Sequence, residues 1–476
     1  MMEWVHIQRK PLWWRMLVAC LLTSSALGQQ HSALAPGTSE AVWSLAATGD
    51  SIITRRIIAY ESDPAFMKMI RIIREADAAF TNLELSVFRL REFKGYPQAE
   101  SGGSWLLGSP EVLEDLKWAG FDLFNRANNH TTDYGVEGMM ETDRILDSLG
   151  LVHAGSGMTL GEASQPQYLE TSKGRIALIG LATTFTPMSR ASDARPETKG
   201  RPGLNALRVE RTYQLDAERM AELRRLVTAT GGRLPEKEDA AVRFLGNTFL
   251  PGRETKVIEK ANAIDEDRIL RSIRHAARQA DFVIVTSHSH EPSNEALEPP
   301  AFLVEFVKKC VDAGADTYIV HGPHQLRGIE VYKGKPIFYS LGNFIFENET
   351  NDYMPSDIYE SFGLGNTAMA ADLNDTRFKG GTVGFPSNPV WFESVVAAPV
   401  FRGHRITELK LYPIDLGHKL PRSQRGVPRL ADAELGRKII ERVARLSAAF
   451  GTRIVFQNGI GVWQSTISNN AAQHAH

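Results

Sequence analysis

Only two cysteines occur in 476 residues. Cys20 lies in an N-terminal stretch expected to be removed, and Cys310 is then alone, so no disulfide framework can form in the mature chain. The chain also lacks a basic excess. Its 54 Lys and Arg face 56 Asp and Glu, a net charge of -2, which excludes a nucleic-acid surface as the main theme because phosphate binding demands surplus positive charge. The N-terminal apolar run, residues 16–27, falls short of the about 20 residues that a membrane-spanning helix needs. No G-x-S-x-G elbow surrounds a serine and no cysteine suits a nucleophile, which argues against covalent catalysis.

What the N-terminus does carry is Arg9, Lys10 and Arg15, then the short apolar run, then Ala26-Leu27-Gly28. This pattern predicts a secretory signal peptide over residues 1–28 and an exported protein, periplasmic or extracellular. Leu17-Val18-Ala19-Cys20 offers a lipoprotein alternative through Cys20, but Arg15 leaves too little apolar sequence ahead of that box. The chain as a whole, 43% hydrophobic and 23% charged, has an ordinary globular balance and length for two or three domains.

Along the chain, strands alternate with helices, the pattern of an α/β fold. Strands are expected over residues 42–47, 77–83, 121–124, 175–181, 281–286, 316–320 and 336–339. Helices are expected over residues 67–76, 110–119 (capped by Ser109), 136–149 (capped by Thr132 or Asp133 and ended by Gly150), 265–280 (capped by Asp265), 301–313 and 432–450. Cys310 falls on the core face of its helix. Residues 205–263 read as a charged helical insertion. Residues 347–388 read as a polar loop positioned to cover a site, and 393–416 as further strands. The last residues, 468–476, read as a disordered tail.

Five of the thirteen histidines fall just after strands: His130, His288, His290, His321 and His324. Asp50, Glu84 and Asn129 fall in equivalent places. Parallel strands deliver their ends to one edge, where α/β proteins bind ligands. Imidazoles with carboxylates and an amide oxygen form a mixed N/O set that suits Mn²⁺, Fe or Zn²⁺ better than Ca²⁺. Such a site, with one or two ions, supports hydrolysis. Asp50 and Glu84 are expected to hold metal, and His130, held by Asp133 or the backbone, to donate a proton to the leaving group. Asn82, Asn128, His290 and Asn343, on the same loops, are expected to contact substrate.

Several of these stretches occur as ordered motifs. They are Thr48-Gly49-Asp50, Asn82-Leu83-Glu84, ANNHTTDYG from Ala127, HAGSG from His153, HSHE from His288, and AGADTYIVHGPHQLRGIEVYKGKPIFYSLGNFIF from Ala313. Together they resemble the CapA family, named for poly-γ-glutamate capsule synthesis. The resemblance spans roughly residues 45–346. It implies a calcineurin-like metallophosphoesterase fold, a four-layer α/β/β/α sandwich with a metal centre at the strand ends, over residues 41–346, with 347–467 completing it. It further implies that Asp50, Glu84, Asn129, His288, His321 and His324 are metal ligands and His130 the proton donor. Three departures stand out: Ile52 occupies a position where metallophosphoesterases carry a histidine, Gly322 stands where the usual CapA ending has a further histidine, and Ser289-His290 replaces a common Trp-Gly.

The function these readings imply is an exported metal-dependent hydrolase of a capsule or poly-γ-glutamate-type envelope polymer, with capsule synthesis machinery as a partner. The alternative is a non-catalytic accessory protein in synthesis or export of that polymer. A nucleotide phosphatase is disfavoured, because no clear aromatic pair is placed to stack a base.

Overall fold

Strand Val42–Ile52 runs through the middle of a ten-stranded sheet in the computed structural model, which describes residues 41–464. The expected signal peptide, with Cys20, and the tail at 468–476 lie outside the described residues. Ala78–Leu83, Leu123–Asn125 and Val152–Ala154 follow in parallel on one side. Asn343–Phe346 pairs in parallel with the end of the central strand, and Glu393–Arg402 pairs antiparallel with its start. Arg405–Asp415 and the hairpin Ile454–Gln457/Ile460–Trp463 complete that edge. The segment after residue 346 therefore contributes strands to the sheet that holds Asp50.

A second, six-stranded sheet runs Ile329–Tyr332, Lys335–Phe338, Thr317–His321, Phe282–His288, Gly174–Ala182, Gln167–Thr171. Its four middle strands are parallel. Their sequences, such as GRIALIGLA, are apolar on both faces, as strands covered on both sides must be.

Those two faces go to different cores. Leu45, Phe80 and Leu123 of the first sheet pack with Leu178, Ile284, Ile319 and Phe338 of the second. On its other face the first sheet presents Ala46, Ala79 and Phe124 to helices Pro64–Arg74, Glu111–Ala119 and Gly135–Ser148, which supply Phe66, Ile70, Leu116 and Leu146. The second sheet presents Ile179, Val283 and Val320 to helices Ala263–Ala276 and Ala301–Ala313, which supply Ile269, Ile273, Phe306 and Cys310. Each buried Val, Leu, Ile or Phe among them contributes about 1.5–3 kcal/mol, so the alternation along each strand ties both sheets between apolar layers.

Some expectations are corrected. The insertion at about 205–263 is not helical throughout. It holds one helix, Ala217–Ala229, and a four-stranded sheet of Val209–Leu215, Val242–Phe244, Asn247–Pro251 and Lys256–Ala261. Asp216 caps the helix with its side chain on the Arg219 N–H, so the preceding residues are free to extend as a strand. Asp265 does not cap its helix; Asn262 does, because Asp265 is engaged by Arg208 and Arg268. Neither Thr132 nor Asp133 caps Gly135–Ser148. Residues 347–392 contain two short helices, Ser356–Ser361 and Ala370–Arg377, with several 3-10 turns. Among the described residues, no helix is long and apolar enough to cross a membrane.

Candidate metal centre

Register aligns the polar strand ends. In the first sheet Asp50 lies beside Asn82 and Asn343, and Asn82 beside Asn125. In the second, His288 lies beside His321. Gly49 makes the first alignment possible, since a Cβ there would sit 1.8 Å from the Gly342 carbonyl oxygen. The two rows meet between the sheets. His288 Nδ1 is 3.8 Å, and His321 Nδ1 3.6 Å, from Asp50 Oδ1, while His324 Nδ1 is 3.6 Å from Asp50 Oδ2.

Asp50 and Glu84 share His288 and His324. His288 Nε2 lies 3.5 Å, His324 Nε2 3.8 Å and His130 Nε2 4.0 Å from Glu84 Oε1. Three groups have ligand atoms within 4.8 Å of one another: Asp50, His288 and His321; Asp50, Glu84 and His324; Glu84, His288 and His290.

The hydrogen bonding fits a cation. Both Glu84 carboxylate oxygens are buried without a hydrogen-bond partner, and so is Asn129 Oδ1. The Thr286 hydroxyl donates to the Ile319 carbonyl, so its lone pair takes the Nε2 proton of His321 at 2.8 Å. That leaves His321 Nδ1 as a bare lone pair, 3.0 Å from His288 Nδ1. With the His290 proton on Nδ1 toward Asn294, a neutral His288 has one N–H for two facing lone pairs, His321 Nδ1 and His290 Nε2, so one buried acceptor stays unpaired at a cost unless a positive charge lies there. The donor set of imidazoles and carboxylates suits a divalent transition ion.

Electrostatics agree. Burial pushes Asp50 up to about 6, against N–H donors from Asn82 and Gly322 that favour its anion. Burial, then the neighbouring Asp50 carboxylate, raises Glu84 well above the usual range. Burial and the nearby rings lower His288 and His321 well below the ordinary imidazole value. Burial likewise lowers His290 to about 4 and His324 to about 3. The imidazoles are therefore neutral and available as ligands at pH 7, and a divalent cation would relieve the penalty on both carboxylates.

The other expected residues fall into two sets. His130 Nδ1 sits 2.7 Å from Asp133 Oδ2, an acid-oriented imidazole whose Nε2 faces Glu84. Asp133 is itself held by the N–H groups of Gly102 and Leu106, so it has no oxygen left to cap a helix. Asn82, Asn128 and Asn343 are committed within the protein. Asn82 donates to Asp50 and accepts from Asn125 and Asn128. Asn128 also donates to the Leu83 carbonyl and accepts from the His130 N–H. Asn343 accepts from His324 Nδ1 at 2.8 Å and donates to the carbonyls of His324 and Trp391. These amides hold the site and retain no free group for a substrate. His153 pairs with Asp147 at 3.1 Å and stands outside the cluster.

Sequence reasoning missed Asn125, Thr286, Asn294, Gly102 and Phe385. Asn125 and Thr286 lie inside apolar strands, where a single polar residue is itself a signal. Gly102 and Phe385 act through contacts distant in sequence, whereas Asn294 reaches His290 only four residues back. Gly102 accepts at its carbonyl from Asn129 Nδ2 at 2.8 Å while its N–H holds Asp133, so the backbone of one residue grips two site residues. The Phe385 ring lies 5.5 Å from the His324 ring, so the segment expected as a cover does touch the site.

Residues 44–348 match the family model described as "Bacterial capsule synthesis protein PGA_cap". An uncharacterized protein of Sinorhizobium fredii, y4sH, is 41% identical over 428 residues, covering 88% of this chain and 92% of that protein. Capsule biosynthesis protein CapA of Bacillus anthracis is 26% identical over 337 residues, covering 70% of this chain and 67% of its own length. PGA biosynthesis protein CapA of Bacillus subtilis is 27% identical over 341 residues, covering 71% and 68%.

Proposed function

The chain belongs to the PGA_cap family of bacterial capsule synthesis proteins, and from that premise we propose that it is an exported, metal-dependent hydrolase acting on an envelope polymer of the poly-γ-glutamate type. One observation carries this reading: Glu84, fully buried and without a hydrogen-bond partner, stands among the nitrogens of His130, His288 and His324. The two facing sheets with helices on their outer faces read as the four-layer sandwich of metallophosphoesterases. The signal peptide expected over residues 1–28 assigns the protein's work to the periplasm or the cell surface.

Asp50, Glu84, Asn129, His288, His321 and His324 would hold one or two ions of Mn, Fe or Zn. Bound there, such an ion supplies Lewis acidity and makes a coordinated water more acidic. The chain's own residues do the rest. Asp133 fixes the ring of His130 through Nδ1, so that Nε2 presents its proton to the leaving group of an amide or phosphoester. Asn343 holds the His324 ring, and Asn82 orients Asp50. The Phe385 side of the segment 347–392 shields the centre from bulk water.

A second reading is a non-catalytic accessory protein in polymer synthesis or export. The closure of the site favours it, since none of the six ligand candidates is more than 5% exposed. Metal analysis of the purified protein alongside Asp50→Ala and His324→Ala separates the readings. We expect one or two transition-metal ions per chain, lost in both variants together with hydrolysis of poly-γ-glutamate. Unchanged turnover in both variants would refute the hydrolase, and stable polymer binding without cleavage would establish the accessory role.

A further inference from the structure

We infer that His290 is a ligand on the Glu84 side of the centre, not a substrate contact, and that Asn294, Gln325 and Arg327 are positioning residues that hold it there. The inference rests on the metal reading proposed above.

His290 Nε2 stands 2.9 Å from His288 Nε2, and His288 Nε2 is 3.5 Å from Glu84 Oε1. Neither Glu84 oxygen has a hydrogen-bond partner, and His324 Nε2 and His130 Nε2 stand off at 3.8 and 4.0 Å from Oε1. On the far side of the ring, Asn294 Oδ1 lies 2.6 Å from His290 Nδ1 and takes its proton. The neutral ring then carries its lone pair on Nε2, aimed at the Glu84 group. An oxygen acceptor on one nitrogen, here the Asn294 carboxamide oxygen, that leaves the other nitrogen free is the usual arrangement of a ligating histidine.

The loop is built to keep the ring there. The His290 N–H donates to the Thr184 hydroxyl at 2.9 Å. The Asn294 carbonyl accepts from Gln325 Nε2, and Gln325 in turn accepts from Arg442. Arg327, fully buried, gives its guanidinium to the carbonyls of Glu291, Ser293 and Ala296 at 3.0, 2.9 and 3.0 Å. Burying a guanidinium is costly. This one fixes the backbone on both sides of Asn294. Two imidazoles and a carboxylate form an N₂O set suited to Mn²⁺, Zn²⁺ or Fe²⁺.

The competing account is that the 2.9 Å contact is only an N–H···N hydrogen bond between the two rings. The purified protein loaded with Mn²⁺ and freed of excess decides. We expect two ions per chain in wild type, one in His290→Ala, and two again in His290→Glu, whose carboxylate reaches about as far as Nε2. Asn294→Ala should keep the count but weaken affinity by about 10- to 100-fold in chelator competition. Pulsed EPR of bound Mn²⁺ should lose one imidazole nitrogen in His290→Ala. The same count, affinity and nitrogen signature in wild type and His290→Ala would overturn the inference and leave the metal reading intact. Wild type binding no Mn²⁺, Zn²⁺ or Fe²⁺ would overturn both. Should His290→Ala fail to fold, His290→Glu decides by pulsed EPR: it should lose one imidazole nitrogen from bound Mn²⁺, and an unchanged nitrogen signature in that folded variant would overturn the inference.

Discussion

The strand-end centre and the lobe at 205–263 are both rich in charge, yet they use it in opposite ways. In the centre, Asp50, Glu84, His288 and His321 are fully buried and hold one another without any Lys or Arg. In the lobe, Arg211 pairs with the half-buried Glu259, and Lys256 with Glu254 at exposed positions. Solvent screens the lobe's pairs, so they contribute little. Nothing screens the centre, so each group's cost must be met by a neighbour or a cation. The difference teaches that burial, not charge content, marks where chemistry can be done.

The largest effect that would sharpen this contrast is in pH. In metal-free protein the folded state keeps His290 near 4, His324 near 3 and the other two rings low, against an unfolded value of about 6.5. The unfolded chain then binds more protons below pH 6.5, so stability present above that value is lost as pH falls. Asp50, raised to about 6, and Glu84 work the other way, since they bind protons more readily when folded. Four rings outnumber two carboxyls, and the net loss between pH 6.5 and 4.5 should be roughly a few kcal/mol. Denaturant titrations across that range check it, and a flat profile would contradict the buried neutral cluster.

A smaller effect is expected from Gly102→Ala. Its Cβ would meet the Asn129 carbonyl oxygen at 2.6 Å and Asn129 Nδ2 at 2.7 Å. Displacing that backbone should cost about 1–3 kcal/mol and weaken metal affinity through Asn129. Thermal melts and metal titration read the two losses, and a destabilised variant with intact affinity would remove Asn129 from the ligand set. The smallest effect should come from Arg211→Ala in the lobe, under about 1 kcal/mol, with metal content unchanged. A larger loss there would erase the contrast.

Much of the centre is legible in the amino-acid sequence. His130, His288, His321 and His324 each follow an apolar run, and a parallel sheet brings such ends to one edge. Helix 301–313 is readable because its apolar residues recur at three and four. The lobe reads as helical because its strand Val209–Leu215 carries charges that also suit an amphipathic helix, and only pairing with Lys256–Ala261 separates the two. Asn343 and Asn128 resemble substrate contacts because sequence marks a polar loop residue without saying which way its amide is spent.

Sequence alone determined the alternation of strands and helices outside the lobe at 205–263 and the segment 347–392, the family and the residue types that gather at the strand ends. These follow from local periodicity and from motifs, which act over a few residues. Only tertiary structure decided which groups meet. Asp50 and His288 are far apart in the chain and belong to different sheets, and their approach depends on two rows of side chains packing face to face. The same holds for Gly102 on Asp133 and for Arg327 on the loop behind His290. Burial turns those meetings into shifted proton affinities and unsatisfied acceptors, because a carboxylate's cost depends on what surrounds it in space.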